Sequence, residues 1–412
     1  MTVDIAIVGG GPAGLTAAAA LAGRHKVVVL ERESAAGGIP RHSDHLGYGV
    51  RDLRAVLSGP QYARRLVAQA LAAGAEIRTE TMVTGWAGEH ALEVTSPRGR
   101  EVIEASAVVL ATGARERPRP ARLIAGDRPA GVYTTGHLQN LVHLHGRGVG
   151  RRAVVVGAEL VSYSAVLTLR HAGCRTVLMT TEHERPESYA AFTVAARAAL
   201  GVRVATRTRV TRIIGAPALR AVEIENTDTG ARRIIDCDTL ILTGDWIPDH
   251  ELARAAGLAI DPVGGAPLVD TVLRTNRTGV FAVGNLVHPV DTADVAALDG
   301  RHVATSVHAH LAGHRAPDGG VRLVADAPLR WISPGLLRPG DGGPPRDRLL
   351  AWTDTLVRSP VVTTRQDGRV LASRRLPWPA SPGRMFRIPA QIVAGAARDG
   401  GPVTVALQEK SA

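Results

Sequence analysis

The chain has 412 residues, 45% hydrophobic and 21% charged, with aromatics at only 3% and a formal net charge of +11. That length supports two or three domains, each able to bury a core, and the composition is that of a globular protein rather than a disordered or fibrous one. Lys26 and Lys410 are the only lysines, and the remaining positive charge is arginine scattered along the whole chain, which argues against a focused nucleic-acid surface with aromatic platforms.

In chain order, Val3 to Val8 is a largely apolar run, followed at once by Gly9-Gly10-Gly11-Pro12-Ala13-Gly14. A small-residue stretch from Leu15 to Ala22 then reads as a helix, and a second apolar run, Lys26 to Leu30, ends on Glu31. Strand, glycine turn, helix, strand and acidic residue make up a dinucleotide-binding unit. Gly9 permits the tight turn, Gly11 lets a pyrophosphate approach the backbone, and Gly14 lets the helix pack on the sheet. The helix N-terminus offers N–H groups and a partial positive charge to phosphate oxygens. Glu31 stands where a carboxylate accepts from a ribose 2′-hydroxyl. Because the first strand begins by residue 3 and no apolar run approaches a membrane span, the expected location is cytoplasmic.

After Glu31 come Gly37-Gly38 and the polar stretch Arg41-His42-Ser43-Asp44-His45. Residues 60–73 read as an amphipathic helix, and short strands are expected at 76–78, 82–86, 91–96, 101–104 and 107–110, the last running into Ala111-Thr112-Gly113-Ala114. A connection rich in Pro, Arg and Gly spans 114–150, with a helix expected over 135–145. A second strand–turn–helix follows: Ala153 to Val156, then Gly157-Ala158-Glu159-Leu160-Val161-Ser162, then a helix to His171. Further strands are expected at 175–179, 203–206, 210–214, 221–226, 233–237 and 239–243. The pattern is α/β, with two Rossmann-like domains, the second inserted into the first: 1–116 and 268–315 for one, 117–267 for the other. The first resumes through Val280 to Asn285 and a helix over 291–311. Residues 316–412 read as a small β-rich domain suited to assembly or partner contact, with Asp367-Gly368 as a hairpin turn. Cys174 and Cys237 are far apart and form no CxxC or Cx4C pair, which excludes a redox dithiol, an iron–sulfur cluster and a cysteine zinc site on this chain.

The Gly9–Glu31 unit, Ala111-Thr112-Gly113 and Val280–Asn285, in this order and spacing, resemble the FAD-dependent pyridine nucleotide–disulfide oxidoreductase superfamily over about residues 3–313. Gly37-Gly38-Ile39-Pro40-Arg41-His42 and the Ala153–Ser162 unit look most like flavin subunits of opine-, sarcosine- and similar amine dehydrogenases. The resemblance implies FAD in the first domain, with Gly9, Gly11, Pro12, Ala13 and Gly14 at the pyrophosphate and Glu31 at the adenosine ribose. Val83 would lie beside the adenine through its backbone. Gly38, Arg41, Thr112, Gly113, Gly284 and Thr292 would complete the cofactor site. Asn285 stands where the superfamily usually has an Asp that bonds the ribityl chain; an Asn can still accept that bond.

In the second turn the second glycine is replaced by Glu159 and the third by Ser162. One like charge at about 4 Å from a pyrophosphate costs roughly 4 kcal/mol at an effective dielectric near 20, about a thousandfold in affinity. The expectation is that electrons do not enter from NAD(P)H through this domain and that a small amine, amino acid or related acid reduces the flavin, with a partner protein or external acceptor taking the electrons. Arg41 is a candidate for binding a substrate carboxylate, and His42 or His45 for base; a hydrogen-bonded loop contacting FAD is the alternative for His42-Ser43-Asp44-His45. No metal is expected, because no further ligands cluster near that stretch. Asp291 or Thr292 is first of all an N-cap, and His288 faces either the flavin or nothing in particular. Two other readings remain open: an NAD(P)H-dependent flavin reductase, and a flavin-bound protein that serves a larger complex as scaffold or electron relay.

Overall fold

The computed structural model describes residues 1–409, which fall into two compact units. The first comprises Met1–Arg41, Leu46–Ala114 and the chain from Pro248 onward; the second comprises His42–His45 and Arg115–Ile247. The chain thus returns to the first unit at Pro248 rather than near Leu268. The reason is packing: Ala253 and Leu258 belong to the first core, and Trp86 Nε1 donates to the Leu252 carbonyl at 2.9 Å.

The first unit is built on a sheet of seven strands among the described residues. Glu76–Arg78, Val27–Leu30, Thr2–Val8 and Gly99–Leu110 run side by side in parallel. The stretches 101–104 and 107–110 form one long strand, because its two halves serve different neighbours. The first half pairs antiparallel with Ala91–Ser96, and the last three residues pair parallel with Val280–Ala282. Ile5, Ile7, Val28, Val109 and Leu110 are buried at 0–1%, as expected of parallel strands covered on both faces. The helix Pro12–Leu21 packs against the helix Ala293–Leu311, and the approach is so close that a Cβ on Gly300 would lie 2.1 Å from the Ala13 carbonyl oxygen. No side chain larger than hydrogen fits there. Helix Gly59–Ala72 starts at a capping box in which Ser58 Oγ accepts from the Gln61 N–H and Gln61 Oε1 from the Ser58 N–H.

The C-terminal residues form a five-stranded and a three-stranded sheet around their own core of Leu349, Val362, Phe386, Ile388, Val403 and Val405. Asp367 and Gly368, both at positive φ, make the hairpin turn between Pro360–Gln366 and Arg369–Arg375. Three arginines of this portion each reach a buried carboxylate of the preceding part of the unit. Arg338 Nε lies 3.0 Å from Asp270, Arg346 Nη1 3.2 Å from Asp299, and Arg387 Nη2 2.8 Å from Asp291. Opening any one of these buried pairs costs roughly 3–5 kcal/mol, so the portion expected to serve assembly is also a brace for the segment 270–299.

In the second unit a five-stranded parallel sheet orders Val132–Thr134, Thr239–Leu242, Arg152–Val156, Arg175–Thr180 and Val204–Ala205. A four-stranded sheet holds Ala125–Gly126, Thr208–Ile214, Ala221–Asn226 and Arg232–Asp236. The helix expected over 135–145 is α-helical only for Thr135–Gln139 and continues as a π-helix over Asn140–Leu144. Among the described residues no helix is long and apolar enough to cross a membrane.

Candidate flavin site and its inserted counterpart

The turn at residues 9–14 is formed by backbone that tolerates no side chains at its two ends. Gly9 has φ +107°, and a Cβ there would lie 2.4 Å from the Ala111 carbonyl oxygen; at Gly14 it would lie 2.0 Å from the Gly9 carbonyl oxygen. Gly11 differs. A Cβ there would meet nothing nearer than Gly38 Cα at 3.9 Å, so the space in front of it is left open by the protein itself. Gly11 caps the helix Pro12–Leu21 without a side-chain hydrogen bond, and Pro12 occupies the first turn, where its missing N–H costs nothing. The first-turn N–H groups are therefore free to face an anion.

Glu31 is 7% exposed, and its carboxylate accepts from the N–H groups of Gly10 and Glu33, both at 2.8 Å. Each oxygen keeps a further lone pair, so a ribose hydroxyl can still be received. The backbone of residues 80 and 81 hydrogen-bonds to Glu33 and Glu31, which brings the strand carrying Val83 to the same end of the sheet. On the next strand end, Thr112 Oγ1 donates to the Asp249 carbonyl at 2.7 Å, and the Asp249 N–H donates to Gly113. Gly38, at φ +62°, lies against Gly11 and Pro12, where a Cβ would meet Gly11 Cα at 2.9 Å. At Asn285, Nδ2 donates to the Asp291 carbonyl at 3.0 Å, whereas the buried Oδ1 has no partner among the described residues. An orphaned acceptor at the position expected to meet a ribityl hydroxyl fits FAD and has no role in the protein alone. Thr292 caps the helix Ala293–Leu311, and its hydroxyl is held by Asp294 and by Arg51 Nη1 at 3.4 Å.

The expected catalytic stretch is divided. Arg41 lies in the first unit, its Nη1 donating to the Ala35 carbonyl at 2.7 Å and its Nη2 3.9 Å from Glu33. One of its five N–H donors is thus taken by the chain itself. His42 and His45 lie in the second unit. There Ser43 Oγ pairs with His45 Nε2 at 3.1 Å and accepts from Gln139 Nε2 at 3.3 Å, and Gln139 also donates to Ser164 at 2.8 Å. Ser43 and His45 thus share a hydrogen-bond network with Gln139 and Ser164.

The inserted turn has the same plan and different contents. Gly157, at φ +120°, makes the bend, and Ser162 Oγ accepts from the Glu159 N–H at 3.2 Å while pairing with Thr243 Oγ1 at 2.6 Å. Glu159 folds its carboxyl against the following turn, so that a Cβ on Gly244 would lie 2.0 Å from Oε1. Arg122 fixes that turn by donating to the carbonyls of Thr243 and Gly244 at 3.0 and 2.8 Å. Burial, aided by the neighbouring Glu187 and Glu116, pushes the Glu159 carboxyl up to about 8. Glu116 and Glu187 are themselves raised, chiefly by burial. The repulsion expected from an ionised Glu159 is therefore corrected: burial favours its protonated form near neutral pH. Burial also pushes the thiols of Cys174 and Cys237 up to about 11 and about 12, so neither is a thiolate near neutrality.

Residues 3–300 match the family model described as pyridine nucleotide-disulphide oxidoreductase. The chain belongs to that family. It is a flavin-dependent oxidoreductase whose cofactor is FAD. It is 30% identical over 288 residues to a ferredoxin–NADP reductase of Salinispora tropica, covering 69% of this chain and 86% of that one. It is 28% identical over 315 residues to an opine oxidase component of Rhizobium meliloti, covering 68% of this chain and 58% of the relative. Among solved structures, thioredoxin reductase of T. acidophilum superposes with a TM-score of 0.64 at 21% identity, over 75% of this chain and 98% of the other.

Proposed function

We propose that this family member dehydrogenates a small amine, amino acid or related acid by hydride transfer to FAD. Its electrons pass on to a partner protein or external acceptor. The observation that supports this reading is the inserted turn: the Glu159 carboxyl is buried against the turn at Gly244, and its own N–H is taken by Ser162. A chain without a redox dithiol and with an obstructed nicotinamide turn takes its electrons from a substrate that meets the flavin directly. The similarity to a component of an opine oxidase, an enzyme named for amine-containing acids, supports the same substrate class.

The reading is tested by anaerobic rapid mixing of the purified yellow protein with NADH, NADPH and a panel of amino acids, opines and hydroxy acids. Bleaching of the flavin by a member of the panel, and none within minutes by either nicotinamide, is the expected result. Fast bleaching by NADPH would instead make the chain a flavin reductase, in keeping with its similarity to the ferredoxin–NADP reductase.

A further inference from the structure

The C-terminal five-stranded sheet of the first unit packs on its core with one face only. Its strands Val321–Ala325, Val403–Glu409, Pro360–Gln366 and Arg369–Arg375 lie side by side in that order. Leu323, Val403, Val405, Leu407 and Val362 are the side chains turned inward, all in the C-terminal core. Side chains alternate along a strand, so the residues between these point the other way. In register across the four strands, the outer face carries the row Val324, Thr404, Arg365 and Val370. Arg322, two residues before Val324, and Arg375, opposite Val361, lie toward the two ends of the same face.

Arg322, Arg365 and Arg375 are exposed, and among the described residues none of them has an ion pair. The same holds for Arg369 and Arg374 on the edge strand. No acidic residue stands on the outer face within the four strands. At its border, Asp367 accepts from the Gly401 N–H at 3.2 Å, and Glu409 from the N–H groups of Arg358 and Ser359 at 2.8 and 2.7 Å. That leaves Asp326, one residue past a strand end, to offset the arginines. The four-stranded sheet of the second unit is the contrast. There Arg209 and Arg232 both reach Glu225, at 2.6 and 2.7 Å. Arginine on an open sheet is neutralised by the chain in one place and left bare in the other.

The chemistry of the face selects what covers it. Two copies of this chain meeting there would set like charges against each other, on a molecule of formal net charge +11. The face bears no aromatic ring on which a nucleic-acid base could stack. Its exposed apolar side chains are Val324 and Val370, too short to enter a bilayer as an anchor. What remains is a flat, β-branched surface with guanidinium groups around it, whose forks suit carboxylates. Four strands about 4.8 Å apart and five residues at about 3.3 Å each span roughly 300 Å², under half of the roughly 800 Å² per partner in a standard interface.

We propose that this outer face docks a partner protein through an acidic patch, in a contact small enough to form and part quickly and weakened by salt. The proposal concerns binding alone and holds whichever substrate reduces the flavin.

The probe is fluorescently labelled poly-L-glutamate, titrated against full-length, FAD-loaded protein at low and at physiological salt and read by anisotropy. The triple variant Arg322→Ser, Arg365→Ser, Arg375→Ser should bind it about tenfold more weakly or worse. The control Arg64→Ser, Arg65→Ser, Arg98→Ser loses the same net charge from exposed arginines outside this sheet, and should stay within about threefold of the wild type. A second readout needs no variant to fold. In the wild type, poly-L-glutamate should shield Arg322, Arg365 and Arg375 from phenylglyoxal, read by mass spectrometry, and leave Arg64, Arg65 and Arg98 reactive. Equal losses in the two triple variants would reduce the effect to net charge and overturn the proposal, as would the absence of shielding. The two triple variants are also titrated with vesicles of one part phosphatidylglycerol to three of phosphatidylcholine and with duplex DNA. A larger loss of either in the sheet variant than of poly-L-glutamate assigns the face to a lipid surface or a nucleic acid instead, and overturns the proposal.

Discussion

The two glycine turns differ at the residue in front of the phosphate position. At Gly11 the protein leaves open space; at the corresponding place stands Glu159, its carboxyl buried against the turn at Gly244. The strand–turn–helix plan around each turn is alike. The second scaffold is held by its own core, from Ala153 and Val155 to Ile241, which also takes in Ala158 of the turn.

The comparison can be broken most severely by exchange. Gly11→Glu has room to fold, and it should lower FAD affinity by a thousandfold or more, from charge as well as volume; equilibrium dialysis of FAD against the apoprotein measures it. Glu159→Gln keeps the volume and removes the ionisable group. With a folded value about 8 against an ordinary 4.5, Glu159 keeps its proton in the folded chain at pH values where the unfolded chain has lost it. Its contribution to stability therefore falls as pH rises from about 4.5 to about 8 and is level beyond. At pH 7 the variant should be more stable by up to about 3 kcal/mol, the gain vanishing near pH 4.5, as denaturant titrations across pH would record. Glu159→Gly reopens the second turn and should raise NADPH affinity at least tenfold, read by flavin or tryptophan fluorescence quenching. No gain would place the obstruction elsewhere in the turn. Ser162→Ala removes the partner of the Glu159 N–H and of Thr243, and should cost about 1 kcal/mol in thermal unfolding.

The sequence carried the first turn almost completely, because glycine, proline and a terminal carboxylate are local signals. The strands 76–78, 82–86 and 91–96 were legible for the same reason, each alternating between turn residues. Other features depend on distant partners and left no local mark. The helix Ala190–Leu200 lies in alanine-rich chain that has neither a capping side chain nor an obvious period. The single strand Gly99–Leu110 reads as two, because its halves face different neighbours. The protonation of Glu159 depends on Glu187 and Glu116, and the pairing of His288 with Asp299 and Arg346 spans the helix Ala293–Leu311 and the C-terminal portion. The hold of Arg41 on the Ala35 carbonyl likewise left no mark in the sequence.

The fit of Gly300 onto Ala13 bears on the order of events during synthesis. The turn at residues 9–14 precedes the inserted unit in the chain, yet its helix is backed by one that follows that unit. A chain cut before residue 300 is therefore expected to hold the glycine turn without the helix that backs it, and to take up FAD poorly.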